Sequence, residues 1–181
     1  VKERGGGVDR IVVSGGDGTM NEVVTGLMAL PREKRPKVGY IPTGTVNDFA
    51  RGLKIPKDML KAAKIAVGDY SMAVDVGRME DLYFTYVTGF GAFTDVSYLT
   101  PQDSKNVLGQ PAYLFEGIKR LSDLKPQHAR VCCDGHWIED DFLLGLVTNS
   151  VSVGGFPGIT GKDVELDDGL FEVMLIRNPK N

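Results

Sequence analysis

The chain has 181 residues, of which 42% are hydrophobic and 25% charged, a composition typical of a globular protein. Its formal net charge of −3 and the even mixture of basic and acidic residues argue against a nucleic-acid-binding protein, which would concentrate Lys and Arg on one face. No apolar stretch approaches the ~20 residues that cross a bilayer, and no secretory leader is visible, so we expect a soluble or peripheral protein.

The first part of the chain alternates strands and helices. β-branched runs bounded by glycine or proline predict strands, and apolar residues at helical spacing predict helices between them. This alternation is typical of a parallel sheet, so we expect an α/β domain over residues 1–70. In chain order the predicted elements are a strand over 9–14, a helix over 19–30, a strand over 37–41, and helices over 46–53 and 57–67.

The pattern changes near Tyr70, after which strands follow one another with tight turns. Consecutive strands of this kind indicate an antiparallel sheet, and we expect a second, β-rich domain over 71–181. The predicted elements are strands over 70–79 and 82–89 joined at Glu80-Asp81, a helix over 112–124, and strands over 129–133, 136–139, 142–148 and 170–176.

Three features of the predicted second domain are interpreted as structural rather than functional. Cys132 and Cys133 are adjacent, which suits opposite faces of a strand in a reducing, cytoplasmic setting better than a zinc site. Trp137 is interpreted as a core residue rather than a lipid anchor. The apolar face over residues 113–121 of the helix predicted over 112–124 favours core packing over contact with an acyl chain.

The sharpest motif is GGDGT over residues 15–19, between a predicted strand and a predicted helix. Glycines allow a tight turn and close approach of phosphates to backbone amides, and the following helix directs its free N–H groups at the same space. Asp17 adds negative charge there, which is favourable if a Mg²⁺ ion lies between it and a polyphosphate. The alternative is a glycine turn in which Asp17 only caps its helix.

A second motif, PTGTVNDFAR over residues 42–51, also follows a strand and precedes a helix. Both loops should therefore open at the carboxyl edge of one sheet, where open α/β folds bind ligands. Asp48 supplies a second carboxylate, and Thr45 and Asn47 offer hydrogen bonds. Taken alone, Asn47 and Asp48 could simply cap the helix, but two such loops in tandem favour a shared binding site.

GGDGTMNEVV together with PTGTVNDFAR resembles the nucleotide-binding region of the diacylglycerol kinase catalytic domain family, which includes bacterial lipid kinases and sphingosine kinases. The resemblance continues at Asp75-Val76-Gly77, at Asn149 with Gly154-Gly155-Phe156, and at Asp168-Gly169-Leu170. It implies an ATP-dependent lipid kinase with Mg²⁺ as cofactor, in which an NAD-kinase-like or diacylglycerol-kinase-like α/β domain precedes a β-rich one. A lipid substrate and peripheral contact with the inner face of the membrane follow from the same resemblance, which leaves a homodimer open.

The resemblance assigns roles by position. Asp17 is the one catalytic residue that it supplies, and Asp17, Asp48 and Asp75 resemble an aspartate network that holds the catalytic magnesium, partly through water. Asp168 matches a ligand of a structural magnesium, completed by the backbone carbonyls of Glu165 and Leu170. The expected nucleotide contacts are Gly15, Gly16, Asp17, Gly18, Thr19, Met20, Asn21 and Thr45.

The chain departs from the family pattern at its ends. The usual N-terminal strand and loop are absent before Val1, and a C-terminal glutamate that acts as general base is not found before Asn181. We therefore expect a chain cut at both ends that alone phosphorylates no lipid, and ATP-dependent turnover by these 181 residues would refute this. Two alternatives stay open: an NAD kinase, which shares GGDGT but not NDFAR, and a regulatory module that binds ATP without turnover.

Overall fold

The computed structural model describes residues 1, 3, 7–91, 125–157 and 163–178. The helix predicted over 112–124, with its apolar face, lies outside the described residues.

The parallel α/β arrangement predicted for the first part of the chain is confirmed. Strands β1 and β2 pair in parallel with Arg10 opposite Lys37 and Gly15 opposite Pro42. Helix α1 buries Met20, Val24 and Leu27, which recur at the spacing of one helix face. The elements are β1 (Arg10–Gly15), α1 (Asp17–Met28), β2 (Lys37–Pro42), α2 (Asp48–Gly52) and α3 (Met59–Ala66).

A compact core lies between this sheet and its helices. Val13 of β1 and Tyr40 of β2 pack with Met20 and Val24 of α1 and with Phe49 of α2. Helix α3 begins with a conventional cap, because the Asp58 carboxylate accepts a hydrogen bond from the Lys61 amide at 2.9 Å. The start of α3 is therefore stabilised locally, by its own cap.

The later strands form three further sheets. The predicted turn at Glu80-Asp81 is confirmed, since β3 and β4 pair antiparallel with Met79 opposite Leu82. Strand β7 is the centre of a four-stranded sheet, in which it pairs with β5, β6 and β10, and the β6–β7 pair is antiparallel. The elements are β3 (Gly77–Met79), β4 (Leu82–Phe84), β5 (Val87–Gly91), β6 (Gln127–Cys133), β7 (His136–Thr148), β8 (Ser152–Val153), β9 (Phe156–Pro157) and β10 (Glu172–Arg177).

Several predicted boundaries were wrong. Residues 70–76 are not strand, and the run over 82–89 divides into β4 and β5. The two strands predicted over 136–139 and 142–148 form the single strand β7, because Asp140 and Asp141 continue the ladder opposite β6. Helix α1 begins at Asp17 rather than Thr19, and the short β8–β9 pair was not predicted.

Trp137 is exposed, not buried as predicted. Its side chain lies in β7 opposite Cys132, is 61% exposed, and stacks under the Arg130 guanidinium at 4.3 Å from the ring centroid. The alternation of the strand fixes which face a residue takes, but the sequence does not show which of the two faces is covered.

The chain divides into two compact units. One comprises Val1–Thr88 with Thr148–Glu172, and the other comprises Gly89–Val147 with Val173–Asn181. All the residues of the two loop motifs lie in the first unit, together with Asp75 and the segment around Asp168. The boundary between functional domains near residue 70 stays a prediction.

Candidate functional site

The two motif loops leave the sheet side by side, as predicted. Strands β1 and β2 end at the paired residues Gly15 and Pro42, and the Thr43 amide donates a hydrogen bond to the Gly15 carbonyl at 2.9 Å. The Tyr40 hydroxyl donates to the same carbonyl at 3.3 Å, and burial followed by the charge of Asp17 raises the Tyr40 pKa to about 12. The loops therefore share one edge of a parallel sheet, where ligands of α/β proteins bind.

Glycine is required where the loops meet. A Cβ atom on Gly44 would lie 2.5 Å from the Gly16 Cα, and one on Gly15 would lie 2.6 Å from the Thr19 Cβ. Gly18 differs, because a Cβ there would have no neighbour within 4 Å. Gly16 and Gly44 thus allow the close approach of the two loops, Gly15 leaves room for the Thr19 side chain of its own loop, and Gly18 leaves open space at the start of α1.

The Asp17 carboxylate joins the two loops. Its Oδ2 accepts a hydrogen bond from the Asp48 amide and its Oδ1 accepts one from the Phe49 amide, both at 3.1 Å. Asp17 is the first residue of α1, yet these bonds cap the first turn of α2. Burial raises its pKa, the two amides oppose that shift, and the nearby charge of Asp48 raises it further.

Asn47 does not cap α2, in contrast to the simple capping interpretation. Its backbone is left-handed at φ 54°, its Oδ1 accepts from the Gly44 amide at 3.0 Å, and its Nδ2 donates to the Gly44 carbonyl at 2.6 Å. Asn47 therefore closes the turn of its own loop and leaves the first amides of α2 to Asp17. Thr45 lies exposed at the tip of that turn.

The Asp48 side chain is fully buried and accepts four hydrogen bonds. Its Oδ1 accepts from Arg51 Nη1 at 2.6 Å and from the Ser152 hydroxyl at 2.7 Å. Its Oδ2 accepts from the Tyr86 hydroxyl at 2.7 Å and from the Gly155 amide at 2.8 Å. These donors come from three separate segments of the chain, and together they fill the lone pairs of a carboxylate.

The remaining predicted nucleotide contacts divide by exposure. Thr19 and Gly18 are exposed at the start of α1, beside the open space. Met20 is only 2% exposed, and its amide donates to the Gly16 carbonyl, so it offers a ligand neither side chain nor N–H. Asn21 points inward, with its Oδ1 accepting from the Thr85 amide at 3.3 Å.

Asp75 has different hydrogen-bond partners from Asp17 and holds the turn at Gly169. Its Oδ2 accepts from the Gly169 amide at 2.6 Å, and its own amide donates to the Leu166 carbonyl at 2.7 Å. The buried Asn149 fastens the same turn through its Nδ2, which donates to the Leu166 carbonyl at 3.1 Å. Asp75 is thus connected to the segment around Asp168.

The segment predicted to hold a structural metal is a tight, exposed turn. Gly169 has a left-handed backbone with φ 81°, and Asp168 Oδ1 accepts from the Leu170 amide at 2.9 Å. Glu165, Asp168 and Leu170 are all exposed. Glu172 follows, and burial together with the charge of Asp168 raises its pKa.

The bonding of the aspartates limits how they could hold magnesium. Among the described residues, no three His, Cys, Asp or Glu side chains form a group that could bind a metal ion. Asp48 has no lone pair left for a direct bond, whereas each Asp17 oxygen accepts a single amide and keeps capacity for water. The donor set therefore fits a magnesium held through water at Asp17, and it does not fit direct ligation by Asp48.

Sequence reasoning missed the partners of Asp48. Tyr86 and Ser152 lie 38 and 104 residues from it and belong to no motif that marks a site. The one signal was the resemblance around Gly154-Gly155, which places a glycine pair next to Ser152.

Comparisons with known proteins confirm the resemblance. The family model described as diacylglycerol kinase catalytic domain matches residues 1–79. The chain is 41% identical over 170 residues to a diacylglycerol kinase of Bacillus subtilis (strain 168), covering 93% of the chain and 55% of that protein. It is 39% identical over 169 residues to a diacylglycerol kinase of Staphylococcus carnosus (strain TM300), covering 93% and 54%.

A solved structure gives the same result for the fold. The crystal structure of a diacylglycerol kinase from Bacillus anthracis str. Sterne aligns with a TM-score of 0.74 and 32% identity, over 97% of the chain and 56% of that structure. The chain thus spans about half the length of the relatives that it matches.

Proposed function

We propose, from the match of residues 1–79 to the diacylglycerol kinase catalytic domain, that the protein carrying this chain is an ATP-dependent lipid kinase. It would transfer the γ-phosphoryl group of ATP to a lipid hydroxyl, with diacylglycerol or a related lipid alcohol as acceptor. One observation carries the proposal: two glycine loops meet at the carboxyl edge of a parallel sheet, and the Asp17 carboxylate clamps the second loop to the first.

The loops suit a polyphosphate. The first amides of α1 have no partner within their helix and lie at the positive end of its dipole, next to the open space at Gly18. Thr19 and Thr45 are exposed and able to donate hydrogen bonds to phosphate oxygens or a ribose. We therefore assign nucleotide contact to the backbone at 15–19 and to the side chains of Thr19 and Thr45.

The reaction itself demands little covalent chemistry from the protein. The bond between the γ-phosphorus and its bridging oxygen breaks, a bond to the lipid oxygen forms, and the hydroxyl proton passes to a base. Such transfer depends on positioning and on neutralisation of phosphate charge, which Mg²⁺ supplies when bound. Asp17 would orient the magnesium-bound water and hold the second loop, and we assign no general base to a residue of this chain.

A lipid acceptor requires access to a membrane surface. In the described part of the chain no helix is both long and apolar enough to cross a bilayer. Because the proposed acceptor is a membrane lipid, we propose peripheral contact with the inner face of the membrane by a cytoplasmic protein. Sedimentation analysis of the full-length protein would show whether it forms a homodimer.

An assay of acceptors tests the proposal. The full-length protein should transfer ³²P from [γ-³²P]ATP to diacylglycerol in mixed micelles, and should not label NAD under the same conditions. Labelling of NAD alone would refute the proposed lipid kinase activity and would indicate an NAD kinase. Binding of ATP without labelling of any lipid alcohol would instead indicate a regulatory module.

Asp17→Ala tests the site within the same assay. We expect at least a tenfold loss of rate, about 1.4 kcal/mol, because the substitution removes both the clamp on α2 and the acceptor for a magnesium-bound water. Asp58→Ala is the matched control, since it also removes an aspartate that caps a helix, but at the exposed start of α3. An unchanged rate in Asp17→Ala would remove this residue from the mechanism.

A further inference from the structure

Asp48 is the point where three segments of the first unit converge. Its carboxylate accepts from Arg51 within α2, from Tyr86 between β4 and β5, and from Ser152 and Gly155 around β8. The side chain is fully buried, so water does not compete for these bonds. A buried carboxylate that accepts four hydrogen bonds fixes the positions of its donors, and the donors fix the position of the carboxylate.

The Tyr86 hydroxyl extends this arrangement to the glycine pair. It donates to Asp48 Oδ2 at 2.7 Å and accepts from the Gly154 amide at 2.7 Å. Burial, followed by the hydrogen bond to Asp48, raises the Tyr86 pKa, so the phenol stays protonated and remains a donor. Ser152 has a similar double role, because its oxygen also accepts from Arg51 Nη1 at 3.3 Å.

Asp48 is in turn connected directly to the loop over residues 15–19. It is the first residue of α2, and its own amide and that of Phe49 donate to Asp17. The direction of these two amides depends on the orientation of the first turn of α2. The Asp48 side chain contributes to that orientation, together with the core packing of Phe49, because Tyr86 and Ser152 hold it in place.

We infer that Tyr86 and Ser152 are positioning residues for the nucleotide site: they hold Asp48 so that the first turn of α2 presents its amides to Asp17. The inference rests on the proposed function, because it assumes that the loop over 15–19 binds ATP. Neither residue needs to touch the nucleotide. Their effect reaches the loop through Asp48 and Asp17, and for Ser152 also through Arg51 of α2.

The test uses Tyr86→Phe and Ser152→Ala in the full-length protein, with Tyr70→Phe as control because Tyr70 is 82% exposed. Each test variant removes one hydroxyl donor to a buried carboxylate and leaves the remaining side chain in place. We expect the KM for ATP, and the Kd of MgATP measured by calorimetry, to rise roughly tenfold. The kcat at saturating ATP should change less, and Tyr70→Phe should match the wild type.

A second measurement separates positioning from stability. In Tyr86→Phe, measured well below its melting temperature, the Asp48 and Phe49 amides should exchange hydrogen faster than in the wild type, while amides of α3 should not. A lower melting temperature with unchanged KM, Kd and amide exchange would show that Tyr86 is only structural and would overturn the inference. Wild-type protein that binds MgATP but labels no lipid would refute the proposed function, and the Kd of the variants would then decide the inference by itself.

Discussion

Replacing Asp48 by Asn tests the bonding of the site most directly. The two side chains are nearly the same size, so the substitution changes hydrogen bonding and charge but not packing. Asn offers one oxygen where Asp offers two, and its NH₂ group must face one pair of the four donors. A hydroxyl of that pair can rotate to accept from the NH₂, but the other donor, Arg51 or the Gly155 amide, cannot.

The expected cost follows from this geometry. At least one fixed donor is left facing another donor, which costs about 1–3 kcal/mol in a buried site, and the bonds that remain lose the assistance of the negative charge. The ion pair with Arg51 adds little, because the Arg51 side chain is 40% exposed and solvent screens it. We expect the free energy of unfolding to fall by about 3 kcal/mol, which for a chain of this size lowers the melting temperature by about 6–12 °C.

Calorimetry of the thermal transition measures this loss. Asp58→Asn is the control, because Asp58 caps α3 at an exposed position where Asn caps equally well, and its melting temperature should stay within about 2 °C of the wild type. A melting temperature of Asp48→Asn that is equally close to the wild type would refute the reasoning. It would mean that the buried carboxylate does not carry the four hydrogen bonds.

Two further predictions concern Gly39 in β2 and His128 in β6. Gly39→Ala should lower the free energy of unfolding by about 1–3 kcal/mol in urea denaturation, because its Cβ would fall on the Ala66 carbonyl of α3, whereas Gly18→Ala has open space and should not destabilise. The pKa of His128 should exceed 6.5 in an NMR titration, since the protonated ring donates hydrogen bonds to the carboxylates of Asp141 and Glu139, which raise it. The stability that the protonated His128 gains from these carboxylates is present below pH 6.5 and is lost as pH rises through the raised pKa. Asp141→Asn should lower the His128 pKa, and an unshifted titration of His128 in the wild type would contradict its contact with Asp141.

The structure also redistributes the roles that the family resemblance gives to the aspartates. Asp17 keeps free lone pairs in the loop over residues 15–19, whereas all the lone pairs of Asp48 accept from protein donors. Asp75 holds the turn at Gly169. A shared role in placing magnesium is still compatible with this arrangement if water carries the contact. It also means that loss of activity in an Asp48 variant needs a stability measurement beside it before it is read as loss of a metal ligand.

The local elements and the position of the loops could be predicted from neighbouring residues. Runs of β-branched residues bounded by glycine or proline predicted β1 and β2, and helical spacing predicted α1. Because parallel strands end at the same edge of a sheet, the meeting of the two loops followed. These are properties of neighbouring residues and of strand direction. They do not depend on which distant segments come into contact.

The hydrogen bonds of each carboxylate could not be predicted in this way, because they join distant segments of the fold. Asp17 was expected to hold magnesium, with a cap on its own helix as the alternative. In the fold its carboxylate caps α2, through the amides of Asp48 and Phe49 that lie 31 and 32 residues away in sequence. The donors to Asp48 lie up to 107 residues away, and Trp137 is exposed on a strand whose alternation allowed either face. A hydrogen bond between distant segments depends on where the chain folds back, and no local spacing or propensity records that.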